Sequence, residues 1–298
     1  MIDLCLLGSG GMMPLPDRPL TALLIRIRNQ TILFDCGEGT QITWRRNGWP
    51  FRPTGTILLS HLHADHVAGL PGILFNIAHA GRTEPVTIYG PPRTYEITRN
   101  LTSIVGWVPY DLRVVELDGD DEVRLAEDLT LRTQRLRHPV HCLGYALEIR
   151  RNPRFDPERA AARGIAMTDW KRLQRGEIVD GVHPADVTGP PRRGLKLALV
   201  TDTSAFADLI PFVAGSDLLV CESMYIDDAE AEKAAERGHM TTRQAARLAA
   251  SANVGQLWLT HFSPSVQDPQ DALALANEEF PHAVVGETGL STTLRFRD

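Results

Sequence analysis

The sequence predicts an α/β fold with β-sheets inside and helices outside. Apolar runs of strand length and helix-sized segments are interspersed in both halves of the chain, and turn-forming residues separate them. A chain of 298 residues, of which 43% are hydrophobic, can bury a sizeable core. We expect residues 1–298 to form a single domain with one inserted arm at residues 151–194.

The first part of the chain predicts three short strands followed by a helix. The three apolar runs occupy residues 2–7, 20–27 and 31–34. Turn chemistry separates these runs, and we expect them to build one edge of a sheet. Residues 41–47 predict a short helix. Asp35 and Glu38 lie between the third strand and this helix, where a carboxylate either orients a metal-binding histidine or serves as an ordinary turn residue.

The remaining elements continue this mixture of strands and helices. The predicted strands are residues 55–59, 86–90, 112–117, 129–136, 145–149, 195–200, 217–221, 256–260 and 283–285. The predicted helices are residues 73–80, 91–104, 227–237, 243–252 and 268–280. Several of the strands end in a residue type that binds metals, so candidate ligands lie at strand ends.

A histidine-rich segment follows the strand at residues 55–59. It places His61, His63, Asp65 and His66 within six positions, although the whole chain has only ten histidines. In an extended or turning backbone alternate side chains point the same way, so the first two histidines can reach one cation while the other pair faces a second. Nitrogen and carboxylate ligands without a thiolate suit zinc, with manganese or iron as alternatives. The segment predicts a site for two metal ions rather than a set of unrelated surface histidines.

Three further strand ends carry candidate ligands. His138 and His141 both lie beyond one strand, and their spacing alone does not distinguish them. Asp202 follows another strand, where an aspartate can bridge two cations or cap a helix. His261 directly follows a third strand.

The composition narrows the class of protein. No run approaches the ~20 apolar residues that span a bilayer, and the first residues lack the features of a signal peptide, so we expect a cytoplasmic protein. The four cysteines are dispersed, which indicates neither a disulfide framework nor a thiolate zinc site. The formal charge of −6 argues against a uniformly basic nucleic-acid-binding protein.

The segment at residues 151–194 differs in composition from the rest of the chain. It is rich in proline, glycine and arginine, has helix-sized pieces near residues 157–163 and 168–174, and lacks a strand pattern. Residues 150–196 carry 11 Lys and Arg against 6 Asp and Glu. A basic segment on an acidic body fits a polyanionic substrate, although a solvated arginine-rich face has the same composition. We interpret the segment as a protruding arm and a candidate RNA-binding surface.

Taken together, these residues resemble the ribonuclease Z family of the metallo-β-lactamase superfamily over essentially the whole chain. The matching stretches are residues 7–11, 34–41, 60–66, 69–72, 89–91, 138–145, 201–203 and 259–261. The HxHxDH pattern is common to the superfamily, whereas residues 35–41 and the arm point to ribonuclease Z. The resemblance implies an αβ/βα sandwich with two mixed sheets inside, helices outside and a protruding arm.

The resemblance also implies roles for individual residues. It selects His138 over His141 and implies two Zn²⁺ ions per subunit, with Mn²⁺ or Fe²⁺ as alternatives. The implied metal ligands are His61, His63, Asp65, His66, His138, Asp202 and His261. The implied catalytic residues are Asp65, Glu222 and His239. The chain departs from the family at Cys221, where the family has a histidine, and at Thr168 and Asp169, where its arm has a Gly-Pro pair.

The implied activity is that of an endonuclease that removes the 3′ trailer of precursor tRNA and leaves a 3′-hydroxyl and a 5′-phosphate. In the expected mechanism an activated water attacks phosphorus and Asp65 takes its proton. His239, oriented by Glu222, neutralises the phosphoryl oxygens or protonates the departing 3′ oxygen. The resemblance further implies a homodimer in which the arm of one subunit serves the active site of the other. Two alternatives are a hydrolase of small phosphodiesters or esters on the same scaffold, and a binding or regulatory module with an inactive site.

Overall fold

Two seven-stranded sheets form the framework of the computed structural model, which describes residues 1–297. The first sheet contains β1 (Ile2–Gly8), β2 (Ala22–Ile27), β3 (Gln30–Phe34), β4 (Thr54–Leu58), β5 (Val86–Gly90), β6 (Leu112–Glu116) and β14 (Ser291–Leu294). The second sheet contains β7 (Glu122–Ala126), β8 (Leu129–Arg135), β9 (Leu143–Arg151), β10 (Arg192–Val200), β11 (Leu218–Glu222), β12 (Leu257–Thr260) and β13 (Ala283–Val285).

Both sheets are mixed. The spatial order of the first is β14-β1-β2-β3-β4-β5-β6, with antiparallel pairing from β14 to β3 and parallel pairing from β3 to β6. The order of the second is β13-β12-β11-β10-β9-β8-β7, in which β10 to β13 are parallel and β7 and β8 are antiparallel. The parallel strands β11 and β12 are near-continuous apolar runs because they are buried on both faces. The predicted two-sheet α/β fold is confirmed.

Ten α-helices are present within residues 1–297. They are α1 (Thr40–Arg46), α2 (Ala64–Val67), α3 (Leu70–His79), α4 (Thr94–Thr102), α5 (Pro157–Ala162), α6 (Trp170–Gln174), α7 (Leu209–Val213), α8 (Ala231–Glu236), α9 (Thr242–Ser251) and α10 (Asp271–Glu279). Helices α1 and α3 share one apolar cluster with the first sheet, while α7, α9 and α10 share another with the second sheet. Thr241 caps α9 in a capping box with Gln244, as the threonines before this helix predict. No helix among these residues is apolar and long enough to pass through a lipid bilayer.

The sequence did not predict β7, β14, α2 or α7, and the histidine-rich segment expected on a loop lies partly in α2. Strand β14 pairs antiparallel with β1 and forms the edge of the first sheet, so the expectation that the first three strands build that edge was wrong. The four residues of β14 are mostly polar, and such a short edge strand has no recognisable alternation. The hydroxyl of Thr293 donates to Asp3 Oδ1 at 2.7 Å, which adds a side-chain contact to the strand pairing.

The arm segment forms a compact unit of its own. This unit comprises Ile149–Gly194 and the last residues from Phe296, while the remainder of the chain forms the other unit. The arm contains α5 and α6, as expected, and its small apolar core consists of Ala160, Ile165, Leu173, Val179 and Val187. Several of its arginines pair with carboxylates inside the same unit; Arg172, for example, contacts Asp169 at 3.0 Å and Glu177 at 2.9 Å.

Candidate metal centre and active site

The histidine-rich segment lies between β4 and α2. His61 and His63 precede α2, whereas Asp65 and His66 lie within it, so the chain turns here instead of staying extended. His61 Nε2 is 3.0 Å from His63 Nδ1, and His66 Nε2 is 3.4 Å from Asp65 Oδ2. The segment therefore presents two adjacent pairs of ligand atoms, as its spacing predicts.

Residues from the ends of three strands in the second sheet join this segment. His138 follows β8, Asp202 follows β10 and His261 follows β12. His138 Nε2 lies 3.4 Å from His63 Nδ1, and His261 Nε2 lies 3.1 Å from His66 Nε2. The structure thus brings all seven expected ligands together. His141 is directed elsewhere, because its Nε2 contacts the carbonyl oxygen of Asp118 at 2.9 Å.

Asp202 occupies the middle of the cluster and is almost completely buried. One carboxylate oxygen, Oδ1, is 3.3 Å from His261 Nε2 and 3.6 Å from His66 Nε2. The other, Oδ2, is 3.7 Å from His61 Nε2 and 4.0 Å from His138 Nε2. Burial opposes ionisation of Asp202, but the surrounding histidines, His261 foremost, hold its pKa well below the usual range. The carboxylate therefore faces both halves of the cluster as an anion.

The donor set fits divalent metal ions. Five residue groups within residues 1–297 each bring their ligand atoms within 4.8 Å of one another. Three contain only expected ligands: His61, His63 and His138; His61, His66 and Asp202; Asp65, His66 and His261. The other two include His239: His138, Asp202 and His239; Glu222, His239 and His261. Imidazole nitrogens only 3.0–3.4 Å apart repel one another when both present lone pairs, and a shared cation removes this repulsion. Nitrogen and carboxylate ligands in this number suit zinc and related metals.

The buried carboxylate of Asp35 holds one of the clustered histidines in place. Asp35 Oδ2 contacts His66 Nδ1 at 2.8 Å, and the hydroxyl and amide of Ser60 donate to the two oxygens of Asp35 at 2.7 and 2.8 Å. Ser60 Oγ is also 3.0 Å from His61 Nδ1. By holding Nδ1 of His66, the Asp35 carboxylate orients Nε2 of the same ring toward the cluster. Glu38 is exposed and makes no hydrogen bond or ion pair with residues 1–297, so it does not share this role.

The loop after β1 contacts two of the expected ligands, Asp65 and His261. The backbone N–H of Met12 donates to Asp65 Oδ2 at 2.7 Å, and Met12 adopts a left-handed backbone with φ of 64°. Gly11 lies against the ring of His261, and a Cβ at this position would come within 2.7–2.9 Å of three ring atoms. Sequence reasoning missed both contacts; the pair of glycines before Met12 was the only local signal.

Asp65 is an anion with well-defined partners. Burial raises the pKa of its carboxyl, but hydrogen bonds with His261 and His66 outweigh this effect and hold the pKa far below the usual range. The Met12 amide fixes one of its oxygens. A carboxylate that is ionised and oriented in this way is available as a proton acceptor at neutral pH.

Glu222 and His239 form a buried pair beside the cluster. Glu222 ends β11 and accepts hydrogen bonds from the backbone amides of Thr203 at 2.5 Å and Met240 at 3.1 Å. Both of its oxygens lie 3.2 Å from His239 Nδ1. The His239 ring is nearly parallel to that of His261, with 5.7 Å between the ring centroids. The pair therefore holds His239 in one orientation next to the metal ligands.

The charge on His239 is set by Glu222. Burial lowers the pKa of the imidazole, but the Glu222 carboxylate outweighs this and raises the pKa to about 9. At neutral pH the ring therefore carries its proton in the metal-free protein. Neighbouring Cys221 points into the apolar core, where burial raises the pKa of its thiol, because successive residues of a strand face opposite sides.

Replacing Glu222 by glutamine is expected to lower the pKa of His239. The carboxylate is the main group that favours the protonated ring, and without it burial favours the neutral form. In metal-free wild-type protein, the imidazole nitrogens of His239 should titrate near pH 9 in ¹H–¹⁵N NMR spectra. In the Glu222→Gln variant the midpoint should lie at lower pH. An unchanged midpoint would show that Glu222 does not hold this proton.

The fold and the seven clustered residues define a metal-dependent hydrolase of the metallo-β-lactamase fold. The family model described as a β-lactamase superfamily domain matches residues 30–188 and 187–262. A ribonuclease Z of Lachnoclostridium phytofermentans is 40% identical over 300 residues, which is 99% of each chain. A ribonuclease Z of Clostridioides difficile is 40% identical over 303 residues, also 99% of each chain. The chain belongs to the ribonuclease Z family.

Solved structures share the same fold. The short form of human tRNase Z matches with a TM-score of 0.71 and 22% identity, covering 99% of this chain and 100% of that one. The metallo-β-lactamase fold protein YhfI of Bacillus subtilis matches with a TM-score of 0.70 and 21% identity, covering 98% of each chain. These similarities confirm the predicted sandwich architecture.

Proposed function

We propose that this protein is a cytoplasmic zinc-dependent endonuclease that cleaves the 3′ trailer from precursor tRNA. The support is the convergence of seven histidine and aspartate side chains at one centre, in a chain that is 40% identical to ribonuclease Z proteins over its whole length. The buried Glu222–His239 pair adds a positively charged group beside that centre. A cation next to metal ligands suits a reaction in which charge develops on phosphoryl oxygens.

Two divalent ions fit the residues present. His61, His63 and His138 would hold one ion, Asp65, His66 and His261 the other, and Asp202 would contact both. When bound, such ions supply Lewis acidity, which makes water nucleophilic at neutral pH and neutralises charge on the phosphoryl group. Asp35 and Ser60 keep the histidine rings oriented for this purpose.

The chain's own residues move the protons. Asp65, fixed by the Met12 amide, accepts the proton of the attacking water. His239 in its protonated form, which the Glu222 carboxylate favours, donates a hydrogen bond to a phosphoryl oxygen or transfers the proton to the departing 3′ oxygen. The expected products are a 3′-hydroxyl on the tRNA and a 5′-phosphate on the trailer.

The direct test is cleavage of an end-labelled precursor tRNA by purified protein. We expect a single cut at the start of the trailer, loss of activity after removal of metal by a chelator, and recovery on addition of Zn²⁺. Mn²⁺ and Fe²⁺ added in parallel identify which ions support turnover. Efficient hydrolysis of a chromogenic phosphodiester, with no cut in precursor tRNA, would contradict the proposal and favour a small-phosphodiester hydrolase.

Deleting the arm is expected to weaken tRNA binding without changing the chemistry. The amide of Gly189 donates to the carbonyl oxygen of Arg154 at 2.7 Å, so the chain ends are adjacent there and residues 155–188 can be replaced by a Gly-Ser linker. If the arm is a second binding site for the same RNA, its loss should raise KM for precursor tRNA ~10²-fold. Turnover of bis(p-nitrophenyl) phosphate should stay the same. An unchanged KM for tRNA would remove the arm as an RNA-binding surface.

We also propose a homodimer in which the arm of one subunit serves the active site of the other, as the family resemblance implies. Light scattering after size-exclusion chromatography measures the oligomeric state. A mixture of an arm-deleted subunit and a subunit with an inactive site should cleave tRNA faster than either protein alone. No gain in the mixture would contradict the exchange of arms.

A further inference from the structure

Arg137 directly precedes the expected metal ligand His138 in the chain. Its backbone is fixed on both sides: its N–H donates to Thr203 Oγ1 at 2.9 Å, and its carbonyl oxygen accepts the amide of Ser204 at 3.0 Å. The amide of Thr203 in turn donates to Glu222. The backbone of Arg137 is therefore anchored to the same loop that donates a hydrogen bond to Glu222.

The guanidinium of Arg137 has a defined position but no anionic partner. It lies over the ring of Phe206, 4.7 Å from the centroid, and it makes no hydrogen bond or ion pair with any other residue in 1–297. Arg135, two positions earlier, differs in this respect, because its guanidinium pairs with Asp118 at 3.6 Å. A cation held on an aromatic face keeps its N–H donors available while its rotational freedom is reduced.

We propose that the Arg137 guanidinium binds the backbone phosphate next to the one that is cleaved. This inference rests on the proposed function, because it requires a polynucleotide substrate. Each nucleotide carries one negative charge, so a strand with one phosphate at the metal centre brings the next phosphate alongside the centre. A guanidinium matches a phosphate through two parallel hydrogen bonds, and the exposed guanidinium of Arg137, over the Phe206 ring and one residue before His138 in the chain, offers both donors. Arg137 is thus a substrate-binding residue that sets the register of the strand.

Arg137→Gln tests this role, with Arg135→Gln as the matched control. On precursor tRNA, Arg137→Gln is expected to raise KM ~10–100-fold with little change in kcat, and to reduce the slope of log(kcat/KM) against log salt by about 1. On bis(p-nitrophenyl) phosphate, which has no neighbouring phosphate, the variant should equal the wild type. Arg135→Gln should resemble the wild type on both substrates. Equal losses of Arg137→Gln on the two substrates would overturn the proposal.

A modified substrate locates the contact. Single phosphates on either side of the cleavage position are replaced by uncharged methylphosphonates, each on a 2′-deoxy nucleotide and compared with the 2′-deoxy phosphate. Wild-type protein should lose ~10–100-fold in kcat/KM at one of the two positions, and Arg137→Gln should be insensitive to that same replacement. If the variant loses as much as the wild type at both positions, Arg137 does not bind these phosphates. If wild-type protein cleaves small phosphodiesters but no RNA, the proposed function itself fails.

Discussion

Replacing His239 by alanine is expected to lower turnover of precursor tRNA ~10²–10⁴-fold while the metal content stays the same. The imidazole is held by Glu222, which favours its protonated form, and it lies beside the seven expected metal ligands without being one of them. Its removal therefore takes away a proton donor but leaves the ligand set intact. Turnover is measured at saturating substrate. Metal content is measured by mass spectrometry of the purified variant.

His141→Ala is the matched control for this substitution. His141 lies near the site in sequence but contacts Asp118 instead of the cluster, so its loss should leave turnover unchanged. Glu222→Gln should fall between wild type and His239→Ala, because the ring remains but its charge and orientation are less well held. Equal turnover of His239→Ala and wild type would remove His239 from the mechanism.

Replacing Asp202 by alanine is expected to remove bound metal and to lower turnover at least ~10³-fold. Asp202 is the only carboxylate within residues 1–297 that faces both histidine groups, and no other acidic side chain lies where it could take over. Without it, the five imidazoles within 4.0 Å of its oxygens converge on a buried space that has lost its central anion. Metal content, zinc affinity by competition with a chromogenic chelator, and turnover should all fall together.

Asp208→Ala provides the comparison for Asp202→Ala. Asp208 is an exposed aspartate a few residues further along the same loop and makes no side-chain cap hydrogen bond. This variant should bind metal and turn over like the wild type. A fully loaded and active Asp202→Ala protein would mean that the two groups of ligands bind their ions independently.

The parts of the fold that could be predicted are those with a long or strongly apolar pattern. Strand β11 is fully buried and β3 is buried except at its first residue, so their apolar runs are unambiguous. Strand β7 escaped prediction because it is partly exposed and mixed in composition. Helix α7 has five residues with a proline inside, which conceals the helical period.

The candidate site also has residues that could be predicted from the sequence and residues that could not. The segment from His61 to His66 is recognisable from the sequence as a metal site because its expected ligands are close together in the chain. His138 and His141 are equivalent by spacing, and only the way the chain leaves β8 turns the first toward His63 and the second toward Asp118. The Met12 amide that holds Asp65 could not be predicted at all, because a backbone N–H has no side-chain signature.

The contact between Gly11 and the His261 ring joins two parts of the chain that are synthesised at different times. The first strand and the HxHxDH segment leave the ribosome early, but His261 follows His66 by 195 residues. At ~5–20 residues per second this separation corresponds to roughly 10–40 s of translation. A nascent chain therefore holds only part of its expected ligand set during that interval, and we expect hydrolytic activity to begin only after His261 has left the ribosome.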